Sequence, residues 1–240
     1  MIERSKGRRV RGFARMVALL GLGGLLAGCG KVAEQQVEQS MRRDLQRIIG
    51  PAQDYSVDIQ GLNVSSGTAS GATVIGQRVR LPDAPVLDRM EVRMNDVRYD
   101  IRRKELQRVA SASAVARLRP ADLAAFLDTH RNMEDAAVSL SAPNEVTLRL
   151  RPEMSGLSIP SSLKLSVTGR LVGDGPRVRF ELIRVGAGGF SVGGAVADLL
   201  TDRINPIVDL SGMPIGVTIN DIRAEDGALT VRATGDYRVR

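Results

Sequence analysis

The sequence predicts an α+β protein that consists mostly of antiparallel β-sheet. Apolar residues recur with a period of two through most of the chain after residue 54, which is the period of a strand with one dry face. Short turns, Gly173–Pro176 and Glu225–Gly227, separate neighbouring segments and are typical of hairpins. Helical periodicity is confined to three segments. No shift in composition divides the sheet, so residues 53–240 are predicted to form a single domain.

The first element is a predicted amphipathic helix within residues 29–52. Its apolar residues recur at helical spacing as far as Gly50-Pro51, a pair that terminates helices. These residues are Val32, Val37, Met41, Leu45, Ile48 and Ile49. The apolar face either packs on the domain or inserts into a membrane surface.

The strands are predicted where apolar and polar residues alternate. A change of phase by one residue between Met94 and Val97 predicts a β-bulge. The predicted strands are Tyr55–Ile59, Met90–Met94, Val97–Ile101, Val146–Leu150, Leu163–Val167, Val178–Leu182, Val217–Ile219 and Leu229–Ala233.

Two further helices interrupt the strands. One begins at Pro120, with an acid in its first turn, and ends near His130. The other follows Gly186–Gly189, and Pro206 is expected to kink or end it. Its apolar face is broader than surface packing requires and consists of Val196, Leu199, Leu200, Ile204, Ile207 and Val208.

The N-terminus has the features of an export signal. Six basic residues precede an apolar segment, Met16–Ala27, that is shorter than the ~17–25 residues of a membrane-spanning helix. The segment ends in Leu26-Ala27-Gly28-Cys29, which resembles the bacterial lipobox. This resemblance implies that residues 1–28 are a lipoprotein signal peptide and that Cys29 is lipidated and anchors the exported protein to a membrane of the cell envelope. The alternative is a soluble secreted protein with an ordinary cleavage site.

The net charge excludes one class of partner. The whole chain carries a formal charge of +7, but residues 1–28 contribute +5 of it, so the mature chain retains about +2. The chain has no tryptophan and no basic stripe interleaved with aromatic residues. Nucleic-acid binding is therefore not expected.

The residues of catalytic and metal sites are largely missing. The chain has one cysteine and one histidine, His130, whereas a closed zinc site needs several such ligands. The glycine-rich stretch from Gly186 to Gly194 lacks the ending of a P-loop. We therefore predict no enzyme activity, no metal and no cofactor. The basic run Arg102-Arg103-Lys104 is either a solvated turn or a contact for anionic lipid headgroups.

Three segments together resemble a known family. They are Leu87–Val97, the strand-to-helix junction Leu118–Leu123, and Pro214–Ile219 continuing through Glu225–Val231. In this pattern the chain resembles the LmeA family of bacterial envelope proteins. The resemblance implies phospholipid binding and a fold similar to tubular lipid-binding domains, in which a strongly curved antiparallel sheet is wrapped around or packed on long helices and leaves an apolar lipid groove.

The expected lipid site lies between the aliphatic face of the sheet and the broad apolar face of the third helix. Its candidate residues are Met90, Val92, Met94, Val196, Leu199, Leu200 and Ile204. The predicted function is that of a membrane-anchored lipoprotein that binds phospholipid or a related acyl lipid for transport or presentation. The alternative is a scaffold lipoprotein with a closed core that binds an envelope protein partner.

Overall fold

The computed structural model describes residues 26–100, 102–130, 133–141, 143–152, 164–187, 190–191 and 194–238, and within residues 26–34 it describes the backbone alone. Three helices and twelve strands occupy these ranges. The helices are α1 (Leu26–Ile48), α2 (Pro120–His130) and α3 (Gly194–Ile204). The strands are β1 (Asp54–Gln60), β2 (Thr68–Val79), β3 (Leu87–Asp100), β4 (Glu105–Leu118), β5 (Met133–Ser141), β6 (Glu145–Pro152), β7 (Leu165–Asp174), β8 (Arg177–Ala187), β9 (Phe190–Ser191), β10 (Val208–Asp209), β11 (Gly216–Glu225) and β12 (Ala228–Arg238).

The strands form two antiparallel sheets. Sheet A has the order β1-β2-β3-β4-β12-β11, and sheet B has the order β10-β8-β7-β6-β5, with β9 paired to β8. Sheet A curls into a half-barrel. Register shifts in three of its ladders, at Arg98/Tyr99, Gly235/Tyr237 and Ile219/Asp221, support the curl, because a bulge increases the local twist.

Helix α1 packs across the concave face of sheet A. Val37, Met41, Leu45 and Ile48 are all buried, and Met41 is only 1% exposed. Their spacing places them on one helix face, so the described part of the apolar face packs on the domain. The helix ends before Gly50, which adopts φ +142° and whose carbonyl accepts a hydrogen bond of 2.9 Å from the hydroxyl of Tyr55.

The two sheets meet along β11 and α2. The backbone amide of Ile219 in β11 donates to the carbonyl of Gly175 in the β7–β8 turn at 2.8 Å. On the other side of the junction, Arg78 of β2 donates two hydrogen bonds, of 2.6 and 2.7 Å, to the carboxylate of Asp122 in the first turn of α2. The hydrogen bond and the charge of Asp122 raise the pKa of Arg78. These contacts fix sheet B against one end of the half-barrel.

The expectation of long helices around which the sheet is wrapped was wrong. Helices α2 and α3 have 11 residues each, and α1 is the one longer helix among the described elements. Helix α3 ends at Ile204, before Pro206, whose ring and missing amide are incompatible with a continuing helix. The following Ile207 and Val208 lead into strand β10 instead. Across the described residues, no helix has both the length and the apolar content of a membrane span.

Candidate functional site

An apolar cavity lies on the concave face of sheet A. It extends from the C-terminal end of α1 to the junction with sheet B. The space open to the centre of a water molecule is about 180 Å³, and the space between the walls, including the part open to solvent, is about 1380 Å³. One water molecule needs only ~10–15 Å³ on the first of these measures, so the cavity is large enough for a larger apolar group.

Small side chains in the centre of sheet A create the hollow. Ala112, Ala114 and Ala116 point from β4 into the cavity, and each is only half-buried. Their partners on β12 are Gly235, Ala233 and Val231, so two neighbouring strands present small groups at the same level. Longer side chains from β3 form one flank of this floor and are Met94, Val92 and Met90.

Loops and both neighbouring cores complete the walls. The loop between β10 and β11 contributes Leu210, Met213 and Ile215. It joins sheet B to the start of β11, and β11 begins opposite Asp236 at the end of the cavity near α1. The remaining apolar lining comes from two cores. The core under α1 contributes Leu45, Ile48, Ile49, Leu81, Leu87, Leu106 and Val109, and the core of sheet B contributes Ala84, Leu118, Leu123, Leu171, Val178, Ile207, Val208, Ile219, Ile222 and Leu229, with Pro85 next to Ala84.

The polar groups of the lining are confined to one end. Asp236 and Tyr237 lie in the last residues of β12, where Asp236 is exposed and Tyr237 is half-buried, whereas Thr234 pairs with Ser113 and faces away from the cavity with it. Tyr237 pairs with Val109 of β4, which places this polar end beside the C-terminal part of α1. The walls that face the cavity are therefore apolar throughout, and polar side chains, Asp236 and Tyr237, stand at the rim of the end near α1, which we call the polar end.

A charged pair stands next to the polar end. Arg47 of α1 contacts Asp44 at 3.0 Å, and the Arg47 side chain is 66% exposed. Burial raises the pKa of Tyr237, while the positive charge of Arg47 opposes that rise. Asp44 also accepts a hydrogen bond from the backbone amide of Leu106 at 3.0 Å, so the helix end and the cavity wall are joined directly.

The sequence-predicted residues fall into three groups. Met90, Val92 and Met94 line the cavity, and their role in lipid binding stays a prediction. Leu200 and Ile204 are completely buried in the core of sheet B and do not line it. The side chains of Val196 and Leu199 lie outside what the structure describes, as do residues 1–25 of the predicted signal segment and the side chain of Cys29.

Strand β4, which forms the floor of the cavity, is not among the strands that the sequence pattern predicts. Strand β4 alternates alanine with serine, valine and arginine from residue 110 to residue 117, so the contrast between its two faces is weak and its apolar side chains are small. An alternation of alanine with polar residues over one strand length was the available signal. It predicts a strand whose inner face leaves space, because each alanine contributes no atom beyond Cβ.

The arrangement can hold an extended hydrocarbon chain. The inner residues of β4 run from Leu106 to Leu118, a contour of roughly 40 Å at ~3.4 Å per residue. One leaflet of a bilayer is ~15 Å of hydrocarbon, half of a ~30 Å core, so the length of the cavity suffices. Within the described residues, no group of three or more histidine, cysteine or acidic side chains is placed to hold a metal.

Comparison with known proteins gives one match. A family model described as LmeA-like phospholipid-binding matches residues 25–234 of the 240-residue chain. No curated protein and no solved structure matches the chain.

Proposed function

Because the chain belongs to the LmeA-like phospholipid-binding family, we propose that it is an exported envelope lipoprotein that holds the acyl part of a phospholipid in the sheet A cavity, for lipid transport or presentation. The observation that carries this proposal is the lining of the cavity, which is apolar along its length and has polar side chains only at the rim of one end. A hydrocarbon tail with a polar head has the same distribution of polarity.

The polar end gives the lipid a direction. We place the acyl tail toward Leu118 and Leu171, where the walls from both sheets meet, and the headgroup near Tyr237. The positive charge of Arg47 acts on Tyr237 and opposes the rise that burial causes in its pKa, so this cation lies close to the polar end. A lipid phosphate would be attracted by its guanidinium group, whereas Asp236 on the same rim disfavours close approach of a second negative charge.

Exchange with a membrane is expected to be reversible. Each buried CH₂ contributes ~0.8 kcal/mol relative to water. The bilayer provides nearly the same stabilisation as an aliphatic cavity, so the two contributions largely cancel. The protein then needs little additional affinity to extract a lipid, and it can return the lipid without an energy source.

The membrane anchor is part of the same proposal. Lipidation of Cys29 would attach the chain to the membrane within the first turn of α1, and α1 leads from that residue toward the polar end of the cavity. The short spacing holds the cavity close to a lipid source. Two or three acyl chains on one residue hold a protein firmly, whereas a single chain binds reversibly.

Lipid carried by the purified protein provides the test. A Cys29→Ala chain, exported with a non-lipoprotein signal, is purified without detergent and examined by native mass spectrometry and by extraction of lipid. We expect a bound phospholipid, and its exchange when lipid vesicles are added. Protein that is empty and also ignores added lipid would refute lipid binding and favour a scaffold role with an envelope protein partner. Fractionation of the unaltered chain and its Cys29→Ala variant tests the anchor separately, since only the former should resist extraction from membranes.

A further inference from the structure

A cationic surface lies at the same end of the molecule as the polar end of the cavity. We define the basic tip as Arg98 at the end of β3 and Arg102, Arg103 and Lys104 in the β3–β4 turn, all of them exposed. Arg103 is 75% exposed and lies 3.9 Å from both Asp100 and Glu105. For the rest of the basic tip, the described residues offer no carboxylate within salt-bridge distance. The tip with its two acids therefore keeps a surplus of two positive charges.

An exposed apolar side chain accompanies these cations. Val64, in the turn between β1 and β2, is 41% exposed. It shares a shallow surface cleft with Arg98 and Arg102. The backbone amide of Tyr99 donates to the carbonyl of Gly67 at 2.7 Å, which holds the two turns side by side. Cations around an apolar residue match the interface of an anionic bilayer, where charge meets phosphate and the apolar group enters the headgroup layer.

The basic tip is fixed to the elements that end at the cavity. Lys104 stands two residues before Leu106, which lines the cavity, so the tip is roughly 7 Å from that wall along the strand. The amide of Leu106 is bound to Asp44 of α1. From Asp44, α1 continues back to Cys29 over 15 residues, or ~22 Å of helix. One connected part of the fold thus contains the cations, the polar end of the cavity and α1, which leads back to Cys29.

We propose that the basic tip and Val64 form a docking surface for anionic bilayers, which directs the polar end of the cavity toward the membrane from which lipid is taken. This inference rests on the proposed lipid-binding function, and it specifies the surface and the membrane charge on which that function depends. Docking would shorten the path of an acyl chain between bilayer and cavity. The anchor then sets the distance to the membrane, and the basic tip sets the orientation.

Vesicle binding tests the docking surface. The Cys29→Ala chain, exported as above, is mixed with vesicles of phosphatidylcholine alone or of phosphatidylcholine with phosphatidylglycerol, and the bound fraction is measured by flotation. We expect binding to the anionic vesicles that falls as salt is added. A variant with Arg102→Ser, Arg103→Ser and Lys104→Ser should bind at least tenfold more weakly, since each cation near an anionic surface is worth roughly a fivefold change in binding.

A matched triple variant controls for net charge. Arg149→Ser, Arg170→Ser and Arg184→Ser remove three exposed cations from neighbouring strands of sheet B, and this variant should bind anionic vesicles like the parent. Equal loss in both triple variants, or equal binding of the parent to neutral vesicles, would overturn a defined docking surface. The lipid content of each variant is measured by native mass spectrometry. An empty parent refutes the lipid-binding proposal, whereas a lipid-loaded parent that does not float with anionic vesicles refutes the docking proposal.

A fluorescent probe locates the contact. Because Cys29 is the only cysteine of the chain, the Cys29→Ala background accepts a single new thiol for a polarity-sensitive dye. Val64→Cys should show a blue shift on anionic vesicles. Val115→Cys is the matched control, since Val115 is 44% exposed and lies on β4 among outward-facing residues. A shift at residue 115 as large as that at residue 64 would contradict the proposed orientation.

Discussion

Replacement of Ala114 by leucine should close the middle of the cavity and weaken lipid binding. Ala114 pairs with Val92 on one side and Ala233 on the other, and all three residues line the cavity. The leucine side chain would project into the 180 Å³ that is open to the centre of a water molecule, in the middle of the proposed path of an acyl chain.

The size of the effect follows from the hydrocarbon displaced. Leucine adds three carbon atoms to alanine, and displacement of about three methylene groups at ~0.8 kcal/mol each costs about 2.4 kcal/mol. This corresponds to roughly a 50-fold weaker affinity. The assay is titration of the delipidated Cys29→Ala chain with a fluorescent short-chain phosphatidylglycerol below its micelle concentration, because water is then the reference state.

The matched control is Ser113→Leu on the same strand. Ser113 is exposed and faces away from the cavity, since neighbouring strand residues point to opposite faces. This variant should bind like the parent. The free energy of unfolding of Ala114→Leu should not fall, because the added side chain fills existing space. Unchanged affinity of Ala114→Leu, with the fold intact, would refute the assignment of the cavity to the acyl chain.

Three further predictions concern the contacts that hold the cavity in place. Asp122→Asn removes the charge that faces Arg78 and should lower the free energy of unfolding by about 1–2 kcal/mol, measured by urea denaturation. Met41→Ala should cost about 2–5 kcal/mol in the same assay, because the side chain is 1% exposed and its loss leaves a void under α1. Hydrogen bonds from Ser211 to Asp209 lower the pKa of Asp209 to about 2. The ionised carboxylate therefore stabilises the fold at pH values above 3.8, its ordinary pKa, and this stabilisation is lost as the pH falls toward 2. Asp209→Asn should be less stable than the parent at pH 7 and equal to it at the acid end.

Each of these predictions has a result that contradicts it. Asp128→Asn is the control for Asp122→Asn, since Asp128 is an exposed acid of the same helix, and equal losses in the two variants would show that the contact with Arg78 contributes nothing specific. For Met41→Ala, a loss below about 1 kcal/mol would mean that α1 is not packed as a core element. For Asp209→Asn, a difference from the parent that does not vary with pH would remove the carboxylate as its cause.

Local signals were sufficient for the helix boundaries. Proline at residue 120 begins α2, and Gly50-Pro51 follows the end of α1, because proline lacks an amide donor and glycine tolerates the backbone conformation that ends a helix. The bulge predicted between Met94 and Val97 is also close to the observed register shift at Arg98/Tyr99. Each of these features depends on the chemistry of one or two neighbouring residues.

Strands with weak contrast between their faces were not identified. The alternation of apolar and polar residues predicts no strand at Thr68–Val79 or Met133–Ser141. A strand at Glu105–Leu118 is indicated only by the strand-to-helix junction at its end. Their alternation is obscured by glycine, alanine and serine. Thr68–Val79 and Glu105–Leu118 lie inside sheet A, and Met133–Ser141 forms one edge of sheet B. The sequence pattern therefore predicts the apolar flanks of the cavity but not its floor.

The sequence by itself determined the preference for antiparallel sheet, the ends of the helices and the aliphatic character of the inner faces. It also carries the resemblance to a phospholipid-binding family. These properties depend on the local periodicity and composition of the chain. Only the tertiary structure decided that the strands divide into two sheets, that β12 pairs with β4 across more than a hundred residues, and that α3 packs away from the cavity. Pairing between distant strands depends on which faces fit together after the chain has closed its loops, and no local pattern records that fit. The cavity exists because β4 and β12 bring small side chains to the same level of one sheet.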